Sequence, residues 1–88
     1  MIWTVRLAKA AAGQLSELPL DHQELVRMHL REMAHDPFRG DVKPLKGKQW
    51  KGRYRKRVGR YRVIFIPFHA ERAVEVSAIL LRSEKTYR

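Results

Sequence analysis

Between Arg39 and Arg62 the chain concentrates its cations: Arg39, Lys43, Lys46, Lys48, Lys51, Arg53, Arg55, Lys56, Arg57, Arg60 and Arg62. The window holds a single acid, Asp41. Charge of one sign at this density does not simply solvate a face, which alternating signs would do. It suits the binding of a polyanion, because guanidinium forks match phosphate oxygens two at a time.

Side-chain alternation sorts these residues. In a strand from Tyr54 to Val58, Tyr54, Lys56 and Val58 point one way and Arg55 and Arg57 the other. With Tyr54 and Val58 turned to a core, Arg55 and Arg57 project together from the open face. In a following strand Tyr61, Val63 and Phe65 face the core and Arg62 joins the arginines. Arg82, at the end of a last strand, can reach the same surface. Lys56 falls on the core-facing side. It is expected to snorkel past the apolar surface, the alternative being a bulge that turns it outward.

The elements that must hold these residues follow from the hydrophobic period. Ile2 to Leu7 alternates as a strand, with Trp3, Val5 and Leu7 on one face. Ala8 to Leu18 carries Ala8, Ala11, Ala12, Leu15 and Leu18 on one helical stripe, weakened by Gly13 and ended by Pro19. Asp21 and Glu24 make a capping-box pattern. It opens a second helix that runs to about His35, with Leu25, Val26, His29, Leu30 and Met33 on one side. Asp36-Pro37 stops it. Phe38 to Gly52 is a polar, glycine-punctuated connection. Tyr54–Val58, a Gly59-Arg60 turn and Tyr61–Phe68 form a hairpin, with Pro67 pushing the end of its second strand toward an edge or bulge. His69–Arg72 turns the chain into a strand over Ala73–Leu81. The order β-α-α-β-β-β is an α+β fold: a helical hairpin packed on one face of a small, largely antiparallel sheet.

The 88 residues suit one domain, 1–88. A hydrophobic content of 44% argues against a disordered basic tail, and the formal charge of +10 favours an anionic partner. The absence of cysteine excludes disulfides and thiolate zinc sites. That fits the cytoplasm, as does the lack of any apolar run approaching the ~20 residues of a membrane span. His22 and His29 lie two helical turns apart, ~10.5 Å, too far to share a metal. His29 reads as a core-edge residue, His35 as a helix C-terminal complement to the dipole, and His69 as solvated. Neither a metal nor a cofactor is expected. Trp3 reads as core. Trp50, among Lys48, Lys51 and Arg53, either packs over the sheet edge or stacks on a base.

Three segments, Leu45-Lys46-Gly47, Tyr54-Arg55-Lys56-Arg57-Val58-Gly59-Arg60-Tyr61-Arg62-Val63-Ile64-Phe65 and Arg82…Tyr87, resemble the RelE/ParE superfamily of toxins from bacterial type II toxin–antitoxin pairs. The element order resembles it too. The resemblance implies a ribosome-dependent endoribonuclease that cuts mRNA by attack of a 2′-hydroxyl on the adjacent phosphate. It also implies an acidic antitoxin that wraps and neutralises the toxin, and operator DNA bound only through that complex. The ParE-like branch implies instead an inhibitor of DNA gyrase, and a non-catalytic nucleic-acid-binding module is a third reading.

By this resemblance Arg55 and Arg57 stand where well-known RelE-like toxins place lysines. Arg62 matches the arginine at the scissile phosphate, Arg82 the one that stabilises the leaving group, and Tyr87 the tyrosine that stacks on a base or orients the substrate. Lys46, Lys48, Lys51, Arg53, Lys56 and Arg60 complete the expected nucleic-acid-binding set. An arginine stays protonated, so Arg57 is not a conventional general base. Either another group takes the proton, with Lys56 and Glu84 nearest in sequence, or catalysis is electrostatic and positional.

Overall fold

The hydrophobic period changes from 3.6 to two at the middle of the chain, and the structure changes with it. In the computed structural model, which describes residues 2–82, the order is β1 (Thr4–Leu7), α1 (Lys9–Ser16), α2 (Leu20–Met33), β2 (Val42–Pro44), β3 (Tyr54–Val58), β4 (Tyr61–Phe68) and β5 (Ala73–Leu81). Single 3-10 turns cover Lys48–Trp50 and His69–Glu71. Among the described residues five strands form one sheet in the order β1-β5-β4-β3-β2. Its pairings are antiparallel except for β1 with β5, which run parallel, so the sheet is mixed rather than wholly antiparallel.

Ala11 and Leu15 of α1 and Val26, Leu30 and Met33 of α2 are buried against Val58, Tyr61, Val63, Phe65, Val74, Val76 and Ile79 of the sheet. One cluster therefore joins the apolar stripes of both helices to one face of the strands. The hairpin turn is tied by Gln23, whose amide nitrogen donates to the carbonyls of Leu18 (2.8 Å) and Ser16 (3.2 Å). The amides of Ile2 and Trp3 both donate to the Ala34 carbonyl, so β1 starts from the end of α2.

Several local expectations are corrected. β2 lies inside the segment read as a connection. Three residues including a proline carry no period of their own, and the strand exists because its backbone pairs with β3. α1 is shorter at both ends than Ala8–Leu18, and Ala12 is exposed rather than part of the stripe. Asp21 does not cap α2. Pro19 precedes the helix without a side-chain cap, and Asp21 sits in the first turn, where its charge still complements the dipole. α2 ends at Met33 rather than near His35. His69 is not merely solvated: its ring stacks on Phe38, with centroids 5.7 Å apart, and meets Trp3 edge-on at 5.8 Å.

The hairpin itself follows the sequence pattern. Gly59 takes φ +57, a left-handed conformation that a side chain resists, and a Cβ there would stand 3.0 Å from Leu25. Pro67 is tolerated because the pairing of β3 with β4 ends at Tyr54↔Phe65, leaving the proline end of β4 as a local edge. The register irregularity lies between Ile64 and Phe65.

A candidate anion-binding face

Pairing of β3 with β4 sets Arg57 directly opposite Arg62 and Arg55 opposite Ile64. These residues alternate with the buried Lys56, Val58, Val63 and Phe65, so the three arginines share the sheet face turned away from the helices. Ile64 is buried on that face too. Long side chains there, Arg55 among them, cover apolar surface with their stems.

Each cation has its own setting. Arg55 is 11% exposed, and its Nη1 donates to both the carboxylate (2.9 Å) and the main-chain carbonyl (3.1 Å) of Asp41. Arg57 is 39% exposed. Its Nη1 stands 3.7 Å from the other Asp41 oxygen, and its amide donates to the Asp41 carbonyl at 3.0 Å. The Arg55 hydrogen bond, helped by the charges of Arg55, Arg57 and Lys43, holds the Asp41 carboxyl below its ordinary range. Arg82 follows β5, and its Nη1 donates to the Gly59 carbonyl at 2.9 Å across the hairpin turn. Arg60, Arg62, Leu81 and Arg82 line an open groove of about 600 Å³ at this corner of the sheet.

Lys56 leaves the expected binding set. It is 3% exposed on the core side of β3, and its ammonium donates to the Arg39 carbonyl at 2.7 Å. The alkyl stem crosses the core and the head ends on a loop carbonyl, with no bulge in β3. Burial lowers its pKa, partly offset by Glu32 and Asp36. It points away from Arg57 and Arg62, so its proton cannot serve chemistry on their face. Of the remaining expected cations, Lys46, Lys48, Lys51 and Arg60 are exposed. Arg53 is half-buried and donates to the Gln49 carbonyl at 3.3 Å. Trp50 is half-buried in its 3-10 turn. Tyr87 and Glu84 lie outside the described residues.

Two residues that the sequence reading passed over matter to this face. Asp41 had a signal, being the sole acid in the basic window, but nothing assigned it a partner. Gln14 had none: its Oε1 accepts from the Ile79 amide at 2.7 Å, beyond the point where β1 stops pairing with β5.

Solved structures with the same arrangement include the RelBE2 toxin–antitoxin complex from Mycobacterium tuberculosis, at 24% identity over 93% of this chain and 100% of that chain, TM-score 0.83. The archaeal RelE–RelB complex from Pyrococcus horikoshii OT3 matches at 24% identity over 96% of this chain and 99% of that one, TM-score 0.78. This is the RelE fold. The YoeB/ParE toxin from Agrobacterium tumefaciens shares it at 17% identity over 89% of this chain and 96% of that chain, TM-score 0.74. No family model matches the sequence, and no curated protein does. On the RelE fold of this chain, the arginine-bearing segments of β3 and β4 fall on the sheet face that the helices leave uncovered.

Proposed function

We propose that this chain is a toxin of the RelE type that cleaves mRNA on the ribosome by 2′-hydroxyl attack, and that an acidic antitoxin neutralises it in the cytoplasm. The observation that carries this reading is the juxtaposition of Arg57 and Arg62 across β3 and β4, with Arg82 beside Arg62 at the groove. Phosphate bridging Arg57 and Arg62 would be met by charge-assisted hydrogen bonds from both strands. Arg82 at the groove would lie near a leaving oxygen. The lysine of β3 is on the wrong face, so the arginines work by position and electrostatics. The antitoxin assignment draws on those similar structures that are toxin–antitoxin complexes, and on the charge of +10. Operator DNA would be engaged only through that complex.

Inducible expression followed by mapping of mRNA ends tests this. Cuts within codons on ribosome-bound message are expected, and Arg62→Ala or Arg82→Ala should abolish both cutting and growth arrest while the variants stay folded. Arrest with ribosome-bound message intact would refute it. A second reading, inhibition of DNA gyrase, is favoured by the similarity to the YoeB/ParE toxin and by the burial of the β3 lysine, Lys56, on the opposite face from the arginines. It predicts gyrase–DNA adducts with whole mRNA.

A further inference from the structure

The two β3 arginines share a face and a neighbour, yet their relations to Asp41 differ. Arg55 spends Nη1 on two Asp41 oxygens and is nearly covered. Arg57 has one longer contact, at 3.7 Å, and keeps much of its side chain in solvent. Asp41 itself is fixed by its backbone. Its carbonyl accepts from the Arg57 amide, and the neighbouring Arg39 carbonyl is held by the buried Lys56 ammonium. Gly40, between them, has φ +89, and a Cβ there would approach the Lys56 ammonium to 3.2 Å. The carboxylate is therefore presented to both arginines from a pinned loop, with Arg55 the closer partner.

We propose that Asp41 and Arg55 form a closed pair that is subtracted from the phosphate-binding surface, with Arg55 acting as the counter-charge that keeps Asp41 off Arg57. Arg55 is then a positioning residue and Arg57 the phosphate ligand. The assignment rests on the reading of this face as a polyanion surface, but not on cleavage. Without Arg55, the nearest cation to the pinned carboxylate is Arg57, and an acid paired with Arg57 competes with phosphate for the same fork. Removing both members of the pair leaves the net charge and Arg57 as they were.

The test is titration of the full chain with a single-stranded RNA oligonucleotide over a range of salt concentrations. Each phosphate contact contributes about 0.7 to the slope of log affinity against log salt. Arg57→Ala should lower the slope by about that amount. Arg55→Gln should lower it comparably, and adding Asp41→Asn to Arg55→Gln should restore the wild-type slope and affinity. Asp41→Asn alone should bind RNA at least as tightly as wild type. Thermal melts of each variant separate these effects from unfolding, and the single Asp41→Asn measurement decides the matter if the double variant does not fold. The proposal is overturned if the double variant stays at the level of Arg55→Gln, which would make Arg55 itself a phosphate ligand. Weaker binding by Asp41→Asn, or a wild-type chain that binds no RNA, would also overturn it. Wild-type RNA binding without cleavage of ribosome-bound message would end only the enzymatic reading.

Discussion

Gln14 offers a sharp test of how the arginine corner is supported. β1 pairs with β5 only as far as Leu7↔Val76, after which the chain turns into α1. Past that point the β5 edge would expose its amides to the underside of α1. Gln14 answers with its side-chain oxygen, accepting from the Ile79 amide at 2.7 Å, and Ile79 is buried. Gln14→Leu keeps the side-chain bulk and removes the acceptor. A buried amide left without a partner costs about 1–3 kcal/mol. In a domain of this size each kcal/mol moves Tm by about 4–8 °C, so a mid-range loss of about 2 kcal/mol lowers Tm by roughly 8–16 °C. Gln14→Glu retains an acceptor and should recover most of that loss. Thermal melting followed by circular dichroism measures the shift, and hydrogen exchange of the Ile79 amide localises it: protection should fall in the Leu variant and persist in the Glu variant. Only Leu80 and Leu81 separate Ile79 from Arg82, so the same substitution should also weaken RNA binding. A Leu variant that melts within a degree or two of wild type, with Ile79 still protected, would show that the Ile79 amide does not depend on Gln14.

Two further predictions concern titration. Burial places the folded pKa of Lys56 below its ordinary 10.5. The unfolded chain therefore holds more protons just below pH 10.5, and stability attributable to this residue rises with pH through that window. Wild type should gain on Lys56→Met as pH is raised toward 10.5 in paired urea titrations; a constant difference would count against the burial. The folded pKa of Asp41 lies below 3.8. Its pairing stabilises the fold above that value and is lost as pH falls through the folded pKa. Asp41→Asn should flatten the acid limb of stability below about pH 4, read by melting temperature at stepped pH, and an unchanged limb would exclude the pair as its source.

What could be read from the sequence was what depends on period and punctuation. β3, β4 and β5 sit at their expected bounds because each turn between them is fixed by one residue, Gly59 at φ +57 and Arg72 at φ 51. Alternation sorted Arg55, Arg57 and Arg62 from the surrounding charge and placed Lys56 inside. What depends on distant partners stayed hidden. β2 exists through its pairing with β3. His69 is ordered by Trp3 and Phe38, more than thirty positions away in the latter case. Alternation turns Arg55 outward, but the loop acid fourteen positions earlier that closes on it leaves no periodic trace. Alternation assigns a side chain to a face; it does not say whether that side chain is already occupied there.

Occupancy divides the cations of this fold. Lys56 is committed to the Arg39 carbonyl, Arg55 to Asp41, Arg53 to Gln49 and Arg82 to Gly59. Arg57, 3.7 Å from Asp41, and Arg62 stand directly opposite one another, like charges at a cross-strand pair position. Such pairs are unfavourable, by roughly 0.2–1 kcal/mol on the scale of cross-strand interactions. An anion bound between the two guanidiniums would offset that cost. Arg57→Gln keeps a polar side chain and removes one charge, so at low salt it should melt roughly 1–8 °C above wild type. Single-stranded RNA, binding only the folded state, should raise the wild-type Tm with ligand concentration and raise that of Arg57→Gln less. Both shifts should shrink with added salt, because exposed charges are screened. A variant less stable than wild type at low salt would mean that the 3.7 Å contact with Asp41 outweighs the repulsion by Arg62, and that the site is neutralised from within rather than poised for phosphate.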